Sequence, residues 1–109
     1  MSWPRWFLKL KESLMPHRRV IVVEGDTPPL KLPKRDLILA RENNEDWAVA
    51  FFCPCGCGKW IELLLLKEAK PNWSIHVDQK NIPTFHPSVL LQKGCKSHFW
   101  LRNGKIEWV

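Results

Sequence analysis

Tyrosine is missing from this chain of 109 residues, although seven Trp and five Phe are present. Such a supply serves either a dense core or an aromatic surface, and composition does not choose between them. Long apolar runs are missing too. The longest, Ile61 to Leu66, is interrupted by Glu62 and falls short of a membrane span. No signal peptide is expected, because Arg5, Lys9, Lys11 and Glu12 break any apolar segment near the start. The expected compartment is therefore the cytoplasm, where clustered cysteines read as metal ligands or catalytic groups rather than disulfides. Internal repeats, low-complexity stretches and linkers are also lacking, as are a nucleic-acid-binding signature and a His-Glu-x-x-His helix.

The net charge is +6. A basic protein attracts nucleic acid, anionic lipid or an acidic protein face. Here the cations are scattered, with clusters only at His17-Arg18-Arg19 and around Lys31, Lys34 and Arg35. A solvated lysine-rich surface is the favoured reading, and nucleic acid is disfavoured as a partner.

The patterning predicts one domain over residues 1–109: an N-terminal amphipathic helix within 1–16 and a small, mainly β, antiparallel domain over 20–109. In the helix Ser2 is the expected N-cap and Pro4 fits the first turn. Trp3, Trp6, Phe7, Leu10 and Leu14 recur at helical spacing, and Pro16 stops the pattern. Docking of that aromatic face on the domain is the expected arrangement; a partner-binding or interfacial helix is the alternative. Strands are expected at Val20–Val23, Asp36–Arg41, Trp47–Cys53, Lys59–Lys67, Trp73–Val77 and Ile82–Phe85, with a short strand or turn at Val89–Leu91. Pro28, Pro29 and Pro33 mark an irregular connector. Asn103-Gly104 between two alternating runs signals a final hairpin.

The third strand runs into Cys53-Pro54-Cys55-Gly56-Cys57-Gly58, where glycines permit the tight tip of a hairpin. Far along the chain come Cys95 and, three positions later, His98. Zinc takes four soft or borderline ligands in a tetrahedron, and three cysteines with one histidine are a usual set. Cys55 and Cys57 are each followed by glycine, whose backbone N–H can donate to thiolate sulfur. Cys55, Cys57, Cys95 and His98 therefore rank first for one Zn²⁺, with Cys53 as the fifth candidate. If His98 is not bound, all three hairpin thiols join Cys95.

Five potential ligands where four suffice leave one group over. A spare thiol could be reactive, and a spare His98 could act as a base. Ser88, just after Pro87, becomes a nucleophile if His98 or His86 lies within hydrogen-bond reach; otherwise it caps the following turn. His76 reads as a solvent-facing strand residue and His17 as a solvated one. Glu62 and Glu68 are weak candidates for a metal-site base.

The motifs Phe51-x-Cys53-Pro54-Cys55-Gly56-Cys57-Gly58, Trp73, Pro87-Ser88-Val89, Gly94-Cys95-x-Ser97-His98-Phe99 and Gly104-x-Ile106-x-Trp108 resemble a small bacterial zinc-binding family. Its members are encoded beside E1-like, E2-like and ubiquitin-like genes in phage-defence operons. The likeness covers residues 36–109. It implies a zinc-binding β domain acting as a peptidase that processes or deconjugates a ubiquitin-like protein. It also implies that the cysteines and His98 hold zinc, that Ser88 is the leading nucleophile, and that the ubiquitin-like protein or its E1-like and E2-like enzymes are partners. The rival readings are a non-catalytic zinc-stapled interaction module and, behind it, a nucleic-acid-binding module.

Overall fold

Two central strands carry the core. A computed structural model describes residues 4–25, 33–68, 72–91 and 94–109. Strands β2 (Leu37–Glu42) and β3 (Glu45–Phe52) include nearly unbroken buried runs, as strands covered on both faces do. They are joined by Asn43 and Asn44, both at positive φ, which suits a two-residue hairpin turn. On one side β3 pairs antiparallel with β4 (Trp60–Leu64), whose alternating burial marks a half-exposed edge. On the other side β1 (Val20–Glu24) pairs with β2, completing a four-stranded sheet in the order β1-β2-β3-β4.

The β1–β2 pairing is parallel, unlike the antiparallel arrangement expected throughout. Residues 25–36 separate the two strands, a length that permits the crossover a parallel pair requires. Of the prolines read as a connector there, Pro28 and Pro29 lie outside the described residues.

The remaining strands form two smaller antiparallel sheets. One joins β5 (Ser74–Val77) to β6 (Pro83–His86); the other has the order β7-β8-β9, from Val89–Leu90, His98–Arg102 and Lys105–Trp108. The final hairpin forms where the Asn-Gly signal stands, with φ of 49° at Asn103 and 73° at Gly104. Glycine is required there twice over. Its φ is left-handed, and a Cβ would come within 2.7 Å of the Arg18 carbonyl oxygen. Phe51 links the sheets: its ring lies 5.7 Å from that of Phe85 on β6 and 6.3 Å from that of Phe99 on β8. Phe99 also meets Trp108 on β9 at 5.6 Å.

Helix α1 (Arg5–Leu14) docks the other way round from the expected arrangement. Its buried residues are Leu8 and Glu12, while Trp6, Leu10 and Leu14 are 69%, 52% and 76% exposed. Ser2, the expected cap, lies outside the described residues; Pro4 holds the N-cap position with no side-chain bond. Charge sets the orientation. The Glu12 carboxylate accepts two bonds from the buried Arg18 guanidinium, at 3.1 and 2.9 Å, one from Arg35 at 3.3 Å and one from the Ile106 amide at 2.9 Å. Lys105 Nζ donates to the Glu12 and Met15 carbonyls, tying the helix end to β9. A carboxylate so thoroughly paired holds its face of the helix inward and leaves Trp6, Leu10 and Leu14 outside, with Phe7 half-buried; Trp3 lies outside the described residues.

Burial alone would raise the Glu12 pKa, but the Arg18 bonds and charge, the Ile106 amide and the Arg35 charge together hold it below its ordinary 4.5. A carboxylate with a lowered folded pKa adds stability that is complete above its unfolded pKa and fades as pH falls through the folded value. Acidification from about pH 5 should therefore loosen α1, read as faster proteolysis near the N-terminus. Glu12→Ala should do the same at neutral pH, costing about 3 kcal/mol by leaving Arg18 buried without its partner. Equal protease protection of variant and wild type at pH 7 would contradict this.

Candidate metal centre and active site

Two hairpin tips meet at the edge of the core. The first lies between β3 and β4, where the Cys53 amide donates to the Lys59 carbonyl at 2.7 Å and the Gly56 amide to the Cys53 carbonyl at 3.3 Å. Gly56 and Gly58, at φ of 88° and 84°, supply the left-handed turns that bring alternate cysteines to one side. The second lies between β7 and β8, where Gly94 and Lys96 take positive φ and the Leu91 amide donates to the Ser97 carbonyl.

The tips bring four sulfurs together. Cys53 Sγ lies 3.3 Å from Cys55 Sγ and 3.6 Å from Cys95 Sγ, and Cys57 Sγ lies 3.6 Å from Cys95 Sγ. All four fall within 4.8 Å of one another, so the cluster can hold a metal ion. None of these separations is a disulfide bond, whose sulfurs stand about 2.0 Å apart, and all four cysteines are free. Ser97 is buried beside them, its hydroxyl 3.2 Å from Cys95 Sγ and 3.5 Å from Cys53 Sγ.

Electrostatics divides the thiols. Burial pushes Cys53 and Cys55 up and favours their neutral forms. Burial also acts upward on Cys95, but hydrogen bonds from the Ser97 side chain and backbone and from the Cys55 and Cys57 thiols outweigh it and bring it down to about 6. Four apposed sulfurs cannot all ionise alone, since each new thiolate repels the last. A bound cation removes that restriction and makes all four available as ligands.

His98 stands outside this group. Cys95 lies in a turn and His98 opens strand β8, so the two do not share a helical turn. Successive strand side chains face opposite ways: Ser97 is buried beside the sulfurs, while His98 meets Ser88. The His98 Nε2 lies 3.0 Å from Ser88 Oγ. The structure thus gathers Cys53, Cys55, Cys57 and Cys95, with Cys53 in the fourth place that His98 was expected to fill.

Ser88 sits between β6 and β7, after the cis His86–Pro87 peptide. Its carbonyl accepts a bond from Trp73 Nε1 at 3.3 Å. Its neighbour His86 packs on the Trp100 ring at 5.9 Å instead of facing the hydroxyl. Among the described residues no carboxylate is hydrogen-bonded to the His98 ring, so the pair is a dyad. Glu62, Glu68 and His76 are exposed and take no part. Trp73 and Ser97 stand among the motif residues, but spacing gives neither of them a role.

A hydroxyl in contact with an imidazole is the pair that nucleophilic acyl transfer uses, the ring taking the proton as oxygen attacks. Residues 23–109 match the family model described as "Bacterial ubiquitination-like system serine protease (BubE)", and the chain belongs to that family. No curated protein and no solved structure matches it.

A strong chelator added to the purified chain should lower its melting temperature by roughly 10 °C or more, as loss of a metal crosslink does. Cys95→Ala should lose the metal, whereas His98→Ala should retain it, as read by elemental analysis. Loss of metal from His98→Ala would place His98 among the ligands.

Proposed function

We propose that this member of the family is a zinc-stapled serine peptidase that processes or deconjugates a ubiquitin-like protein, with Ser88 as nucleophile and His98 as general base. The observation that carries the proposal is the 3.0 Å approach of Ser88 Oγ to His98 Nε2. Family membership supports the protease chemistry and the ubiquitination-like setting. In keeping with the likeness described above, we assign the work to the bacterial cytoplasm and to phage defence. Its partners would be the ubiquitin-like protein and its E1-like and E2-like enzymes.

Zinc fits the donor set. A tetrahedron with Zn–S bonds of about 2.3 Å has sulfur–sulfur edges of about 3.8 Å, close to the 3.3–3.6 Å approaches among these thiols. Cys53, Cys55, Cys57 and Cys95 would hold it. Four sulfur ligands leave zinc no open position, so what it supplies is a crosslink between the two tips. That crosslink steadies Ser97, and Ser97 precedes the base.

The chemistry then belongs to the chain. Ser88 Oγ attacks the carbonyl carbon of the scissile bond while His98 Nε2 accepts the hydroxyl proton. The tetrahedral oxyanion needs backbone N–H donors, for which the Gly94 turn and the cysteine loop are the candidates. Collapse expels the amine, which takes the proton back from His98, and leaves an ester on Ser88. Water, deprotonated by the same ring, hydrolyses that ester and restores the hydroxyl. Trp73, bonded to the Ser88 carbonyl, is a positioning residue that fixes the direction of attack.

A tagged ubiquitin-like precursor incubated with the zinc-loaded chain should yield a shortened product. Ser88→Ala should lower the rate by about 10⁴-fold or more, and His98→Ala comparably, because members of a unit fail together. Trp73→Phe should lower kcat by roughly tenfold with KM nearly unchanged, as expected when nucleophile alignment alone suffers. Cleavage by Ser88→Ala at the wild-type rate would eliminate the assignment. Inertness of the wild type toward the precursor and its conjugates would favour a non-catalytic module.

A further inference from the structure

A cleft of about 370 Å³ opens between α1 and the cysteine loop, and neither Ser88 nor His98 lines it. Among the described residues four cations line it: Lys11 on the helix, Arg18 beyond it, and Lys34 and Arg35 ahead of β2, with Glu12 as the one carboxylate. Arg18 and Arg35 share it, which already leaves one positive charge in excess. Among the described residues Lys11 and Lys34 pair with no carboxylate at all. Among the described residues the cleft therefore holds three positive charges without a carboxylate partner, with Phe52 and Trp108 in its walls and the Arg5 guanidinium 5.2 Å over the Trp108 ring.

The cations on the floor of the cleft are also fixed before any ligand arrives. Arg18 is buried and donates through Nη1 to the Arg35 carbonyl and through Nε and Nη2 to the Glu12 carboxylate. Arg35 Nη2 donates to the Pro16 carbonyl. Cations already held in place lose little freedom on binding an anion, and partial burial weakens competition from water. The two lysines at the mouth supply flexible donors that can close on the ligand.

We propose that this cleft is a binding site for a small dianion, a phosphate or dicarboxylate group carried on a flat apolar body. The oxyanion meets Lys11 and Lys34 above the Arg18–Arg35 pair, and the apolar body lies against Trp108 and Phe52. One wall of the cleft is the loop of Cys53, so an occupant touches both the helix and the metal-binding tip.

Phenyl phosphate and phthalate test this on the full, metal-loaded chain by calorimetry at low salt. They match in charge and ring and differ in the oxyanion, so the tighter binder identifies its source. One of them should bind saturably with 1:1 stoichiometry. Lys11→Ala with Lys34→Ala should weaken that binding by about tenfold or more, through loss of two charge-assisted contacts. Lys9→Ala with Lys80→Ala removes the same charge elsewhere and should leave affinity within about twofold, as net charge acts only weakly on a local site. Failure of both probes to bind overturns the proposal. So does equal weakening by the two double variants, which would mean attraction by overall charge alone. Cleavage by Ser88 is not involved in the readout, so either idea can fail without the other.

Discussion

The junction of the two cysteine-bearing turns governs the rest of the molecule. Each turn alone is a short loop with little apolar surface to bury. Together they place four sulfurs within ligand distance of one another and bury Ser97 against them. Burial disfavours charge on Cys53 and Cys55, while Cys95 is held low by its hydrogen bonds. The cluster is electrostatically incomplete as a set of four thiolates, and a bound cation would complete it. A small core gains most from such a link because it joins segments that are far apart in sequence.

Strand β8 connects that link to the proposed Ser88–His98 pair. Its burial alternates strictly: His98 is half-buried, Phe99 buried, Trp100 half-buried and Leu101 buried. One face completes the core with Phe51 and Phe85; the other carries the imidazole that meets Ser88. Ser97, one residue earlier, points toward the sulfurs. The adjacent residues Ser97 and His98 thus face different groups, the sulfur cluster and the Ser88 hydroxyl. The Cys-x-x-His spacing carries a candidate ligand at one end and a proposed base at the other.

The legible parts of the sequence were those fixed by local chemistry. Asn103-Gly104 marks its hairpin because only residues tolerant of positive φ fit that turn. The Pro-Cys-Gly-Cys-Gly run marks its tip for the same reason. Ser88 was singled out with His98 or His86 as its partner, and the approach of His98 needed three dimensions to see. What stayed hidden depended on which way an element faces. The spacing of Trp6, Leu10 and Leu14 signals an amphipathic helix correctly, yet the inward face is chosen by Glu12, through Arg18 and Arg35. The parallel pairing of β1 was likewise invisible, since a short apolar strand carries no mark of its partner's direction. His98 was read as a ligand because spacing alone does not distinguish a turn of helix from the start of a strand.

X-ray absorption at the zinc edge addresses this division of labour most directly. Four sulfur neighbours at about 2.3 Å, with no nitrogen in the inner shell, are the outcome expected when His98 is free to serve Ser88. A shell of three sulfurs and one imidazole nitrogen would tie His98 to the metal and remove the base from the proposed dyad.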